Sequence, residues 1–196
     1  ITSLPTEIGA LTGLLEVRLT WNSINSLPTE IGALTSLTKL EFSIGLDRSG
    51  TPVVDLVVPP DNPFTAIPSE IGALASLRYL DLSSNAITSV PTEMGALAGL
   101  AYLDLGGNAL TLLPTEIGAL TGLGFLSLDF NALTSVPTEI GALTGLLEVR
   151  LTWNSINSLP TEIGALTSLT KLEFSVGLDL SGRPVVDLEA KCPSFP

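Results

Sequence analysis

The sequence contains no histidine and a single cysteine, Cys192. Without histidine, the chain lacks the commonest general base, the commonest zinc ligand and any catalytic triad built on imidazole. One cysteine excludes an internal disulfide framework and a cluster of thiolate ligands. The phosphate-binding strings GxxxxGK[ST] and GxGxxG are missing as well. The sequence therefore predicts no catalytic residue, no metal site and no cofactor.

Basic residues and long apolar runs are also scarce. Eight Lys and Arg against 20 Asp and Glu give a net charge of −12, which argues against nucleic acid or anionic lipid as a partner. The mean hydropathy is +0.49. Even so, the most apolar stretch, Val53–Val58, is interrupted by Asp55 and stopped by Pro59 and Pro60. We therefore expect no membrane insertion.

What the sequence does contain is a short repeat. The string LPTEIGAL and its close variants recur along the chain, with their prolines at Pro5, Pro28, Pro68, Pro91, Pro114, Pro137 and Pro160. The spacings are 23, 40, 23, 23, 23 and 23 residues, so one interval holds 17 extra residues. Between these prolines each unit follows the pattern LxxLxLxxNxL or a variant of it. A fixed period of this kind is typical of a stacked repeat architecture.

Each unit carries the pattern of a short strand, a bend and a helical turn. The xLxL segment alternates with period two, which predicts a half-buried strand with its leucines inward. Ile31, Leu34 and Leu37 lie at helical spacing behind Pro28, which predicts one or two helical turns. The recurrent Asn is expected to bond backbone groups of the next unit and form an amide ladder. The seven Glu residues of the PTEIG segments are expected to form a solvated row.

This pattern resembles the leucine-rich repeat, and the 23-residue LPxEIGxL form resembles the intracellular Ras-group and Ras-suppressor-like members of that superfamily. The resemblance implies an α/β solenoid with a concave parallel sheet and short helical turns on the convex side. It covers 1–196 as one domain of about seven repeats, with non-repeat insertions at about 44–63 and 176–196. It also implies a non-catalytic role in binding protein partners through the concave face.

Besides the short repeat, the sequence contains a longer duplication that spans several repeats. Residues 5–43 and 137–175 are identical at an offset of 132, and each copy runs into a similar insertion. The insertion pattern predicts a tight turn between two extended arms. Because no distinct cap precedes Ile1, we expect the chain to be a slice of a longer array or to associate end to end. A mature chain of this length that stayed monomeric at high concentration would contradict both versions.

The outward residues of the predicted strands include candidate binding residues. Aromatic and acidic side chains gather on the middle repeats, where binding hot spots favour aromatics. The candidates are Trp21, Tyr79, Asp81, Tyr102, Asp104, Phe125, Asp129, Phe130 and Trp153. A partner with a basic patch would suit them, and the alternative is a scattering of surface aromatics. Asp81 and Asp104 are also spaced for acid chemistry, but an open sheet offers no enclosed pocket.

Charged residues flank these candidates and are interpreted as structural. Four complementary cross-strand pairs are predicted, which would fix the register of the strands. They are Glu16 with Lys39, Arg18 with Glu41, Glu148 with Lys171 and Arg150 with Glu173.

Two other function classes stay open besides a protein-binding scaffold. One is a structural repeat of a filament or extracellular surface assembly, which the long duplication favours. The other is an ectodomain fragment of a recognition receptor. The absence of N-x-[ST] glycosylation sequons and the family resemblance slightly favour a cytoplasmic location over an extracellular one.

Overall fold

The structure, a computed structural model, describes residues 1–20, 22–42 and 64–175. Trp21 and the predicted insertions at 44–63 and 176–196 lie outside these ranges. The predicted tight turn between extended arms therefore lies outside the described residues as well.

In the described ranges, seven three-residue strands form one parallel sheet in which each strand pairs with the next one along the chain. They are β1 Glu16–Arg18, β2 Lys39–Glu41, β3 Tyr79–Asp81, β4 Tyr102–Asp104, β5 Phe125–Ser127, β6 Glu148–Arg150 and β7 Lys171–Glu173. The register places equivalent residues opposite each other, as with Leu80 and Leu103. This arrangement confirms the predicted solenoid, and it holds across the 40-residue interval between Pro28 and Pro68.

The predicted helical turns are 3-10 helices of five residues each. They are Thr6–Ala10, Thr29–Ala33, Ser69–Ala73, Thr92–Ala96, Thr115–Ala119, Thr138–Ala142 and Thr161–Ala165. Each follows a proline with extended backbone, such as Pro114 with φ −69° and ψ 149°. The carbonyl of Pro114 accepts a bond from the Ile117 amide at 3.1 Å. The Glu residues of these turns lie on the side of the molecule opposite the sheet, where Glu116 accepts a bond from the Thr115 hydroxyl at 3.2 Å.

The leucines between sheet and turns form one continuous core. Leu103, Leu105 and Leu110 each have 0% of their surface exposed, and burying such a side chain contributes roughly 1.5–3 kcal/mol. In the first and last repeats several apolar residues that pack against this core are only partly buried: Leu4, Ile8, Leu14, Leu19, Leu159, Ile163, Leu169 and Leu172. Among the residues that the structure describes, a terminal repeat has one neighbouring repeat, whereas an internal repeat is covered by two. End-to-end association through these partly buried residues stays a prediction.

The recurrent asparagines form an amide ladder as predicted, but the predicted direction is wrong, because they bond the preceding repeat and their own repeat and not the next one. The Asn131 amide nitrogen donates to the carbonyl of Leu105 in the preceding repeat at 2.9 Å and to Leu128 and Asp129 of its own repeat at 3.1 and 3.2 Å. Its Oδ1 accepts from the Leu110 amide at 3.0 Å. Asn108 and Asn154 repeat this pattern. The ladder thus satisfies backbone groups that no strand or helix pairs.

Within the described ranges, none of the helices is long and apolar enough to cross a membrane.

Candidate functional site

The side of the sheet opposite the leucine core, here called the sheet face, carries most of the candidate residues. The first and third residues of each strand project from it, because the middle residue points into the core. The in-register pairing arranges the first positions in one row: Glu16, Lys39, Tyr79, Tyr102, Phe125, Glu148 and Lys171.

Three candidate aromatics form a stacked column in the middle of this row. The ring centroids of Tyr79 and Tyr102 are 4.2 Å apart with planes at 6°, and those of Tyr102 and Phe125 are 4.4 Å apart at 4°. A cation lies over each end of the column: Lys39 Nζ is 4.3 Å from the Tyr79 ring and Arg150 Cζ is 5.2 Å from the Phe125 ring. The ring faces are therefore occupied, and the column leaves only ring edges on the outer surface of the sheet face.

Both tyrosine hydroxyls of the column stay protonated in ordinary conditions. Burial, with the Asp81 carboxylate nearby, raises the pKa of Tyr79 to about 12. Burial and the neighbouring Asp104 raise the pKa of Tyr102 as well. The Tyr102 hydroxyl is thus a donor, and it lies 3.4 Å from Asp104 Oδ2.

Asp81 and Asp104 project from the sheet face but are largely buried, with 6% and 9% of their surface exposed. Each carboxylate turns back to an amide at the end of its own strand: Asp81 Oδ1 accepts from the Ser83 amide at 3.0 Å, and Asp104 Oδ1 accepts from the Gly106 amide at 2.8 Å. The two residues are directly opposite in the register. They form a polar floor beside the aromatic column.

The pKa of Asp104 is raised, first because burial disfavours the carboxylate and then because of the charges of Asp81 and Asp129. The hydrogen bonds from Gly106 and Ser127 act in the opposite direction. The folded chain therefore binds a proton at Asp104 more tightly than the unfolded chain does. Its contribution to stability falls as pH rises from the unfolded value of about 3.9 through the raised folded value.

Replacing Asp104 with asparagine is expected to raise the free energy of unfolding at neutral pH by on the order of 0.5–1 kcal/mol, the scale of one cross-strand charge pair. Asparagine keeps the acceptor for the Gly106 amide and removes the like charge opposite Asp81. Urea unfolding between about pH 4 and pH 7 should show a smaller loss of stability with rising pH than the wild type. Glu116→Gln, on the opposite side, is the control. A destabilised Asp104→Asn at neutral pH would contradict the prediction.

A second aromatic pair lies just beyond β5 and β6, at the third residue after the end of each of these strands. Phe130 and Trp153 stack with centroids 5.5 Å apart and planes at 9°. Both have left-handed backbone, with φ of 54° and 56°, as do Ser84 at 55° and Gly107 at 65° in the same place of other repeats. Large side chains are rare in this conformation. Phe130 nevertheless has 57% of its surface exposed.

Asp129 lies between Phe130 of the second aromatic pair and Asp104, whose pKa its charge helps to raise. Its Oδ1 accepts from the backbone amide and the hydroxyl of Thr152 at 2.7 and 2.8 Å. Burial raises its pKa, against the effect of these bonds. The structure thus places eight of the nine predicted site residues in four consecutive repeats, either on a strand or just after one, and the ninth, Trp21, lies outside the described ranges. The stacked geometry, the cations over the column and the left-handed row were not predicted.

Three of the four predicted cross-strand ion pairs are present. Glu41 and Arg18 are 3.2 Å apart, Glu148 and Lys171 are 3.0 Å apart, and Glu173 and Arg150 are 3.5 Å apart. The fourth predicted pair, Glu16 with Lys39, is wrong: among the described contacts, each of the two residues pairs within its own strand. Glu16 pairs with Arg18 of its own strand at 3.0 Å, and Lys39 with Glu41 of its own strand at 2.8 Å.

No group of three or more acidic or cysteine side chains is placed to hold a metal ion in the part of the chain that the structure describes.

Solved structures with the same fold are similar to most of this chain. A leucine-rich repeat protein of Leptospira interrogans matches 90% of it at 34% identity and a TM-score of 0.73, over 42% of its own length. The Arabidopsis receptor kinase HAESA, solved with a peptide hormone and a co-receptor, matches 90% at 26% identity and a TM-score of 0.69, over 28% of its length. An internalin of Listeria monocytogenes, at 23% identity and a TM-score of 0.63 over 87% of this chain and 44% of its own, shows the fold alone. The chain spans less than half the length of each.

The comparison with curated proteins gave no match. A family model described as a leucine-rich repeat region matches residues 64–188. The finer resemblance to Ras-group members stays a prediction. The sequential parallel sheet, the leucine core, the asparagine ladder and this match agree, and the chain belongs to the leucine-rich repeat family.

Proposed function

We propose that this chain is a non-catalytic module that binds a protein or peptide partner through its sheet face. The observation that carries the proposal is the run of aromatic side chains on this face, next to the largely buried carboxylates of Asp81 and Asp104. Interface hot spots are rich in such aromatics. The proposed contact residues are Trp21, Tyr79, Asp81, Tyr102, Asp104, Phe125, Asp129, Phe130 and Trp153.

Two further facts support this proposal. A structurally similar plant receptor was solved with a peptide hormone. The net charge of −12, together with carboxylates on the sheet face, favours a partner with basic groups. We take the partner to be a basic protein or peptide segment.

The test uses peptides selected from a random displayed library on the immobilised 196-residue chain. Tyr79→Ala and Phe130→Ser alter the sheet face, and Glu93→Gln alters the opposite side as the matched control. We expect the sheet-face variants to weaken the selected peptides by about tenfold or more, as hot-spot truncations do, measured by fluorescence anisotropy. Circular dichroism confirms that each variant is folded. Selected peptides that bind all three variants equally would refute the proposal.

A further inference from the structure

The Phe130–Trp153 pair occupies a position that the fold itself does not require to be aromatic. Ser84 and Gly107 hold the same place in the two preceding repeats with the same left-handed backbone. A bulky residue in this conformation is strained. Phe130 is also 57% exposed, so it gains little from burial in the core. Strain at an exposed aromatic residue points to a contact outside the chain.

One face of the Phe130 ring is open. Trp153 covers the other face at 5.5 Å. On the open side, the neighbouring position of the row is Gly107, which has no side chain. The backbone bonds show this adjacency, since the amide of Gly107 donates to the carbonyl of Asp129 at 2.8 Å. No ring or cation of the described residues lies over the open face.

The first aromatic column shows what this chain places at the end of such a stack. Lys39 lies 4.3 Å from the Tyr79 ring and Arg150 5.2 Å from the Phe125 ring. Both ends of that column thus carry a cation from a neighbouring strand. At the open face of Phe130 the corresponding group would have to come from a partner.

Two carboxylates flank this position along the chain. Asp104 lies in the same repeat as Gly107, where its Oδ1 accepts from the Gly106 amide at 2.8 Å. Asp129 directly precedes Phe130, and its Oδ1 accepts from the amide and the hydroxyl of Thr152 in the following repeat. A guanidinium is planar, stacks on aromatic rings and pairs with carboxylates, whereas an ammonium is a compact point charge. Arginine therefore fits this space better than lysine does.

We propose that the partner places an arginine side chain above Gly107, with its guanidinium stacked on the open face of Phe130 and attracted by the carboxylates of Asp104 and Asp129. This inference rests on the proposed function, since it identifies the partner group that the sheet face recognises. Burial raises the pKa of both aspartates, and a bound cation offsets that effect.

The experiment uses the peptides whose binding depends on the sheet face. In each peptide, every arginine is replaced singly by lysine and by citrulline, which keeps the planar shape without the charge. One arginine is expected to be required, with both replacements weakening binding by about tenfold or more. In the protein, Gly107→Phe is expected to fill the space and abolish binding. A Cβ at Gly107 would lie 3.3 Å from the Cα of Ser84 in a left-handed backbone, so the melting temperature must show that this variant is folded.

The outcomes separate the two proposals. Peptides that need the sheet face but tolerate citrulline and bind Gly107→Phe normally would overturn the arginine inference and leave the proposed function standing. A library that yields no peptide dependent on the sheet face would overturn both. Loss of binding with citrulline and with Gly107→Phe, while Glu93→Gln binds as the wild type does, would support both.

Discussion

Replacing Asn131 with alanine is expected to lower the free energy of unfolding by roughly 3 kcal/mol, because it leaves several partly buried backbone groups without their side-chain partner. Asn131 bonds the carbonyls of Leu105, Leu128 and Asp129 and the amide of Leu110. Alanine replaces none of these bonds. The loss affects two repeats at once, because Leu105 and Leu110 belong to the preceding repeat.

Asn131→Asp is expected to destabilise the chain at least as much as alanine does at neutral pH. Aspartate keeps an acceptor for the Leu110 amide but turns the donor into an oxygen that faces three carbonyls. If the side chain mattered only for filling space, the nearly isosteric aspartate would be the milder change. The ladder interpretation therefore makes the opposite prediction.

Urea unfolding followed by circular dichroism measures both variants against Asn157→Ala. Asn157 is exposed, so its replacement should change stability by no more than about 0.5 kcal/mol. An Asn131→Ala variant as stable as Asn157→Ala would show that the ladder contributes nothing to the stability of the fold.

The sequence predicts much of this fold because the repeat period carries it. A constant 23-residue spacing is enough to align Leu80 with Leu103, and the alternation of leucines decides which side of each strand faces the core. The pairing of Arg18 with Glu41 follows from the same register. The 3-10 form of the helical turns does not follow, since residues at a spacing of three fit both helix types.

The chemistry of the sheet face was less predictable. Whether Asp104 points to solvent or returns to its own strand depends on a backbone amide at Gly106 that is free to bond it. The cation over Tyr79 comes from Lys39, which lies across the longest interval between repeats. The left-handed conformation of Phe130 runs against the preference of its residue type. The signal that existed was Gly107, which occupies the same place in the preceding repeat.

The glycine of the TEIGA turns is a second feature that the sequence shows without its reason. The sequence indicates only that this glycine weakens a long helix. In the structure, a Cβ on Gly118 would lie 2.6 Å from the carbonyl oxygen and 2.8 Å from the Cβ of Glu139 in the next repeat. Adjacent turns therefore approach so closely that only glycine fits between them. This close contact between neighbouring turns explains why the glycine recurs in the repeat.

Gly118→Ala is expected to lower the free energy of unfolding by roughly 2–3 kcal/mol, because the clash is with backbone that no rotamer change relieves. Gly164 occupies the same place in an identical TEIGA segment of the last repeat, and no described atom lies within 4 Å of its Cβ position. Gly164→Ala is therefore expected to be neutral or to stabilise the chain by up to about 1 kcal/mol, through a less flexible unfolded state.

Among the residues that the structure describes, the two alanine variants differ in whether another repeat stacks on the turn, so their comparison isolates that contact. Urea unfolding of both variants under the same conditions measures the difference in their free energies of unfolding, which we expect to be about 3 kcal/mol, with Gly118→Ala the less stable variant. Equal effects would mean that the glycine acts within its own turn, through helix propensity, and that the close stacking of neighbouring turns does not select it. A stabilised Gly118→Ala would contradict the packing of the turns directly, because the added methyl group would then have space between Gly118 and Glu139.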